Sequence, residues 1–145
     1  MPDVLVTGIT GFIGSHVASS LLLRGYSVRG MLRPFQTLKW NHPSLSLAYG
    51  DITDMHSVKS AVSGCNSVIH VAALYTFWAS DPDLIYRTNV DGTRNVIQCS
   101  IEAGVERIKN SAKAKIRAVA GCDDETGSGL RVRGAGVRVR GAGVK

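Results

Sequence analysis

"VLVTGITGFIGSHVA", residues 4–18, is an apolar run broken by glycines at 8, 11 and 14 before it resumes with helical spacing. Val4 to Thr7 reads as a buried strand. Phe12 to Arg24 reads as a helix with Phe12, Ile13, Val17, Leu21 and Leu22 at helical spacing and Gly25 as its stop. Glycines between a strand and a helix serve different ends. Gly8 permits the tight turn after the strand, Gly11 lets backbone approach a pyrophosphate, and Gly14 lets the helix pack close on the sheet. The helix start then presents unpaired N–H groups, and the positive end of its dipole, to phosphates. A glycine triplet alone is a weak signal. This one follows a Val-Leu-Val strand and opens an amphipathic helix, the context that marks a dinucleotide-binding turn. Gly8, Thr10, Gly11, Phe12, Ile13 and Gly14 are therefore candidate cofactor-binding residues.

Outward from that turn, strand and helix patterns alternate. Residues 27–32 form a second strand and 46–49 a short third one. Asp54 is placed to cap a helix through Val62, stopped by Gly64, before a fourth strand over 67–71. Asp81-Pro82 pairs an N-cap acid with a first-turn proline, and that helix runs through Asn89 and Val96 to about Ala103, stopped by Gly104. Strand, helix, strand, strand, helix, strand, helix predicts an α/β fold, a doubly wound parallel sheet with helices on both faces. A fifth strand is expected to begin near Val105 and to continue apolar. Instead the apolar pattern stops after Ile108, so the sheet is expected to be truncated after four to five strands.

The chain divides there into residues 1–108, a dinucleotide-binding domain, and 109–145, a basic glycine-rich tail. Of the 145 residues, 44% are apolar, enough for one packed domain. The net charge of +6 would point to nucleic acid if it lay on the domain. It does not: residues 1–108 hold eight basic and eight acidic side chains, and 109–145 hold nine against three. "RVRGAGV" at 131–137 is repeated unchanged at 138–144. A repeat this short is no solenoid unit, and glycine at this density costs chain entropy, so the tail is expected to be mostly disordered. A nucleic-acid or membrane role for the tail is the lesser alternative. No stretch approaches the roughly 20 apolar residues of a membrane span, and no basic n-region or cleavage site precedes Val4, so a cytoplasmic protein is expected. Cys65, Cys99 and Cys122 are an odd count without metal or redox spacing, which fits idle or buried thiols.

The motifs together resemble the extended short-chain dehydrogenase/reductase (NAD-dependent epimerase/dehydratase) family, whose fingerprint is TGxxGxxG. "VTGITGFIGSHV" carries the fingerprint, "GDITD" at 50–54 the end of the third strand, "HVAA" at 70–73 the fourth-strand motif, and "YRTNVDGTRNV" at 86–96 the helix signature. The look is closest to the hopanoid-associated sugar epimerase and dihydroflavonol-reductase-like branch. It covers about residues 3–108, the first 40% or less of such an enzyme. The resemblance implies a Rossmann-type sheet and assigns roles residue by residue. Asp51 would bond the adenine amino group and Ile52 cover the ring. Ala72 and Ala73 would let backbone meet the nicotinamide-side ribose, and Asn89 would hold a water or a backbone group near the active site.

The second strand ends Met31-Leu32-Arg33-Pro34 without the acid that binds the ribose 2′-hydroxyl of NAD. Arg33, helped by Lys39, could pair with a 2′-phosphate, so the reading leans to NADP over NAD; a solvated loop charge is the alternative. His70 ends an apolar strand and reads as a structural neighbour of the cofactor loop. His16 reads as solvent-facing or packed. Tyr75, Phe77 and Trp78 follow the fourth strand and either line a substrate pocket or pack.

The family's chemistry needs a Tyr-x-x-x-Lys pair and a Ser or Thr at the end of the fifth strand. The tyrosines, at 26, 49, 75 and 86, lack a lysine four residues on, and Ser111 lacks strand-like surroundings. No catalytic residue is therefore assigned, no metal site is expected, and the 145 residues are expected to bind a nicotinamide dinucleotide without turning over a substrate. In full-length relatives that substrate would be a small carbonyl- or hydroxyl-bearing molecule. The loss of motif at one residue, followed by a tandem-repeated tail, resembles a frameshift or truncated gene product. A non-catalytic NAD(P)-binding module is the alternative, and oligomeric state is left open.

Overall fold

A computed structural model describes residues 2–74 and 81–110, together with the backbone of 130–131 and 138–141. The chain runs β1 (Val4–Thr7), α1 (Phe12–Leu23), β2 (Val28–Leu32), β3 (Leu45–Tyr49), α2 (Met55–Val62), β4 (Ser67–His70) and α3 (Pro82–Tyr86). A π-helical turn (Arg87–Asp91), α4 (Gly92–Glu102) and β5 (Arg107–Asn110) follow, then the short strands β6 (Leu130–Arg131) and β7 (Arg138–Gly141). The sheet order is β3-β2-β1-β4-β5-β7-β6. β3, β2, β1, β4, β5 and β7 pair in parallel, and β6 joins β7 antiparallel. After β1 the chain steps outward to β2 and β3, then returns to lay β4 on the other side of β1. A reversal of this kind opens a crevice beyond the carboxyl ends of the two central strands.

β1 shows why the sheet is covered on both faces. All four of its residues are buried. Leu5 packs with Met31, Val58, Val62, Val68, Val96 and Ile108 on the α2 and α4 side. Val4 and Val6 pack with Ile9, Ala18, Leu22, Val28 and Leu32 on the α1 side. Successive strand residues point to opposite faces, so a central parallel strand has to be apolar throughout. The α/β doubly wound sheet is the architecture expected from the sequence.

Three local differences have physical causes. First, Phe12 and Ile13 were expected on the packed face of α1, yet they are 80% and 59% exposed. The buried stripe is Gly14, Ala18 and Leu22, one residue every fourth position, which lets α1 lie close to the sheet. Second, the helix expected over 81–103 is interrupted by the π-turn at Arg87–Asp91, which accommodates one extra residue. Third, β5 runs two residues past Ile108, so a boundary at residue 108 falls inside a strand. Ile108 and Asn110 are buried while Arg107 and Lys109 are exposed. An alternating strand tolerates the polar residues that end the apolar run, because only every second side chain enters the core.

The tail, expected to be mostly disordered, contributes β6 and β7. β7 pairs with β5 over Arg107↔Arg138 to Asn110↔Gly141, which puts it in the sixth place of the sheet. Among the described residues no helix is long and apolar enough to cross a membrane.

Candidate functional site

The crevice at the carboxyl ends of β1 and β4 is a cleft of about 430 Å³. Its floor is the glycine turn, and its walls are the ends of β2 and β3 and the segment 71–74 after β4. Gly8 has φ +74, a left-handed backbone that side chains rarely adopt, and a Cβ there would lie 2.8 Å from Ala72 N. The turn therefore presses against the rim after β4. A Cβ at Gly14 would lie 2.0 Å from the carbonyl oxygen of Gly8, so the first turn of α1 sits directly on the loop. Gly11 differs. Its backbone is extended, at φ −78 and ψ 166, and a Cβ would meet only Gly8 O, at 3.4 Å. The rest of that direction is open cleft.

The helix starts differ in how they are capped. The Asp54 carboxylate accepts from the N–H groups of His56 and Ser57 at α2, and Asp81 accepts from Leu84 N–H at α3. α1 begins at Gly11 with no side-chain cap and no acid in its first turn. The residues of its first turn, Phe12, Ile13 and Gly14, line the cleft, and the unpaired N–H groups of a helix start suit an anion. The fit to a dinucleotide phosphate is thus carried by the cradle itself: a turn closed too tightly for side chains at Gly8 and Gly14, and space left where Gly11 lacks one.

Of the residues expected to bind the cofactor, Gly8, Thr10, Gly11, Phe12, Ile13, Gly14, Arg33, Asp51, Ile52, Ala72 and Ala73 all line this cleft. Asp51 Oδ1 accepts from the N–H and hydroxyl of Thr53, at 2.9 and 2.8 Å, which fixes its orientation at the rim. Ile52 is 7% exposed, and Gly92 on α4 makes room for it, since a Cβ at Gly92 would lie 2.7 Å from Ile52 Cδ1. Arg33 is exposed at the end of β2. Lys39 is exposed and does not line the cleft.

Asn89 does not line it either. Its Oδ1 accepts from Leu74 N–H at 2.8 Å and its Nδ2 donates to Leu74 O at 3.0 Å, so it holds a backbone segment that does. Tyr75, Phe77, Trp78 and Ser111 lie outside the described residues.

Several cleft residues were not anticipated. Gln36 lines the cleft, accepts from Arg33 N–H through Oε1 at 3.1 Å, and closes the turn with its own N–H on Arg33 O. Its three-residue spacing from Arg33 in a proline-containing turn was the available signal. Leu84 and Thr88 reach the cleft from α3 and the π-turn. Thr7 belongs to it as well, and its hydroxyl oxygen accepts from Val71 N–H and Ala72 N–H, both at 3.2 Å.

The other singled-out groups are accounted for by packing. His70 is 1% exposed and lies between Thr7 and Thr93. His16 is exposed, with Nδ1 2.7 Å from Phe12 O and its ring 4.4 Å from that of Phe12. Cys65 and Cys99 are buried free thiols, and burial pushes both above the usual thiol range, which disfavours a reactive thiolate. Among the described residues no group of three His, Cys, Asp or Glu could hold a metal.

The model of the NAD dependent epimerase/dehydratase family matches residues 4–113. Cinnamoyl-CoA reductase 1 of Oryza sativa subsp. japonica is 43% identical over 113 residues, covering 72% of this chain and 32% of the relative. The 3 beta-hydroxysteroid dehydrogenase type 7 of Homo sapiens is 39% identical over 109 residues, covering 69% of this chain and 29% of its own. The crystal structure of the Bordetella bronchiseptica enzyme WbmH in complex with NAD+ superposes with a TM-score of 0.61 at 34% identity, covering 75% of this chain and 38% of that one. The chain spans about a third of the length of the curated relatives it matches.

Proposed function

The chain belongs to the NAD-dependent epimerase/dehydratase family, and on that premise we propose that its cleft grips a nicotinamide dinucleotide by the pyrophosphate. The observation that carries the reading is the uncapped start of α1 over a turn that excludes side chains at Gly8 and Gly14 but leaves space at Gly11. Three adjacent contact zones follow from it. The N–H groups of the α1 first turn hold the diphosphate. Asp51 and Ile52, at the end of β3, take the adenine. Ala72 and Ala73, at the end of β4, admit the ribose on the nicotinamide side.

The neighbour WbmH was solved with NAD+. In this chain the end of β2 offers Arg33 and no acid, and the turn held by Gln36 presents that arginine to the cleft. A planar guanidinium pairs well with a phosphate, whereas a 2′-hydroxyl wants an acceptor. NADP is accordingly the preferred cofactor and NAD the second. Lys39, away from the cleft lining, adds at most a distant charge.

When bound, the nicotinamide supplies hydride transfer. The protein residues described here bind and orient it, and Asn89 keeps the segment beside it in place. Full-length relatives, by this reading, act on small molecules bearing a hydroxyl or carbonyl. The 145 residues contain no Tyr-x-x-x-Lys, so this chain alone binds without turnover. A second reading, a binding module that does no chemistry, is favoured by β7, which fills the place beside β5 with the chain's own tail.

The test is a fluorescence titration of the purified chain with NADPH and NADH, joined to a turnover assay with carbonyl substrates. Saturable binding tighter for NADPH, with no rate above the uncatalysed one, is expected. Turnover would overturn the division between grip and chemistry, and tighter NADH binding would overturn the role of Arg33.

A further inference from the structure

We propose that His70 is a positioning residue for the rim of the cofactor cleft, locked as the neutral Nε2–H tautomer by a one-way chain of hydrogen bonds from β1 to the π-turn. Its bearing on the cofactor rests on the binding reading above.

Two independent ends of the chain fix the direction. At one end, Thr93 Oγ1 lies 2.7 Å from Asn89 O. A carbonyl only accepts, so the single hydroxyl hydrogen of Thr93 is spent there. His70 Nε2, 3.0 Å from the same Oγ1, must then be the donor. At the other end, Thr7 Oγ1 already accepts the N–H groups of Val71 and Ala72. Two lone pairs are filled, so the Thr7 hydroxyl donates its hydrogen to His70 Nδ1, 2.7 Å away. Nδ1 accepts and Nε2 donates. Both ends demand the same tautomer.

The chain also has a use. Thr7, Val71 and Ala72 line the cleft, and so does Leu74, which Asn89 clamps. His70 is buried, and it joins the Thr7 hydroxyl that holds the amides after β4 to the Thr93 hydroxyl that caps the π-turn carbonyl of Asn89. Reversing one bond would oblige Thr7 to release an amide or Thr93 to release Asn89 O. The imidazole thereby couples the glycine-turn strand, the rim and the interrupted helix, which no single pair of these contacts does.

The experiment uses the full 145-residue chain labelled with ¹⁵N. Long-range proton–nitrogen spectra of the four histidines give the tautomer of His70, and hydrogen exchange gives the protection of the Val71 and Ala72 amides. The expected result is a neutral His70 bearing its proton on Nε2 near neutral pH, with both amides protected. Thr93→Val should disturb the His70 signature, speed exchange at both amides and weaken NADPH binding about tenfold, and Thr93→Ser should restore all three. Thr93→Ser also serves should the valine variant fail to fold, since it keeps the hydroxyl and must keep the signature. A His70 protonated on Nδ1, or a folded Thr93→Val with unchanged exchange at the rim, would overturn the proposal. The tautomer and exchange readouts need no nucleotide. A wild-type chain that ignores NADPH while showing the expected His70 signature would defeat the binding reading instead.

Discussion

Asn89 grips Leu74 by both ends of its amide, accepting from its N–H at 2.8 Å and donating to its carbonyl at 3.0 Å. One side chain on a π-turn thus acts as a strand partner would and satisfies both backbone groups of Leu74. Asn89→Asp keeps the acceptor and loses the donor, while Asn89→Ala loses both. At about 1 kcal/mol for each net hydrogen bond, the alanine variant is expected to weaken NADPH binding up to about thirtyfold and the aspartate variant by less. Titration of the two variants beside the wild type checks the order, and equal affinities would show that the clamp does not shape the cleft.

Gly14 makes the closest approach in the turn. An added methyl group would meet Gly8 O at 2.0 Å, against backbone that cannot swing aside. Gly14→Ala is expected to cost about 1–3 kcal/mol or more through overpacking and to displace α1 from the loop. Thermal unfolding should show a lower midpoint and nucleotide titration a loss of binding. A variant with wild-type stability would mean that α1 packs differently from the arrangement described.

Arg33 separates the two cofactors. Removing the guanidinium in Arg33→Ala takes a charge-assisted contact from a 2′-phosphate and nothing comparable from a 2′-hydroxyl. The variant is expected to bind NADPH about tenfold more weakly and NADH almost unchanged, and Arg33→Glu to reverse the preference. Paired dissociation constants measured at one salt concentration check this, since the contact is exposed and screened.

The acid limb of stability should report two carboxylates. Hydrogen bonds from the side chain and N–H of Ser57 hold Asp54 below the usual carboxylate range, and the N–H and hydroxyl of Ser27 do the same for Asp3. A depressed pKa adds stability that is present above the unfolded value, near 3.8, and is lost as pH falls through the folded value. Asp54→Ala is therefore expected to lower the melting midpoint at neutral pH, with the gap to wild type closing below about pH 4. Asp54→Asn should keep part of the cap and remove its share of the pH dependence. A gap that persists undiminished into strong acid would contradict the capping role.

The parts of the fold that were legible in the sequence are those where local chemistry decides. The tight turn at Gly8, the close packing at Gly14, Asp54 as a cap and Asp81 before proline each follow from local chemistry, and the structure has all four. Less legible were features set by partners distant in sequence. The buried stripe of α1 depends on Gly14 docking against Gly8, so apolar spacing alone chose Phe12 and Ile13. β5 carries Lys109 outward and Asn110 inward, a pattern that stops looking apolar before the strand ends. The π-turn leaves no mark in the apolar spacing, and its Asn89 bonds Leu74, 15 residues away along the chain. The same holds for Gln36, Leu84 and Thr88, which reach the cleft only once the sheet brings their loops together.

Gly11 offers the most direct test of the central claim, because it separates folding from binding. Its backbone is extended and a side chain there would point into the cleft with only Gly8 O nearby, so Gly11→Val is expected to melt within a few degrees of wild type. Calorimetric titration of both proteins with NADPH should show saturable binding to the wild type and at least a tenfold loss in the variant, the side chain filling the place of the diphosphate. Wild-type affinity in a folded Gly11→Val, or a folded wild type that ignores both NADPH and NADH at millimolar concentration, would contradict it.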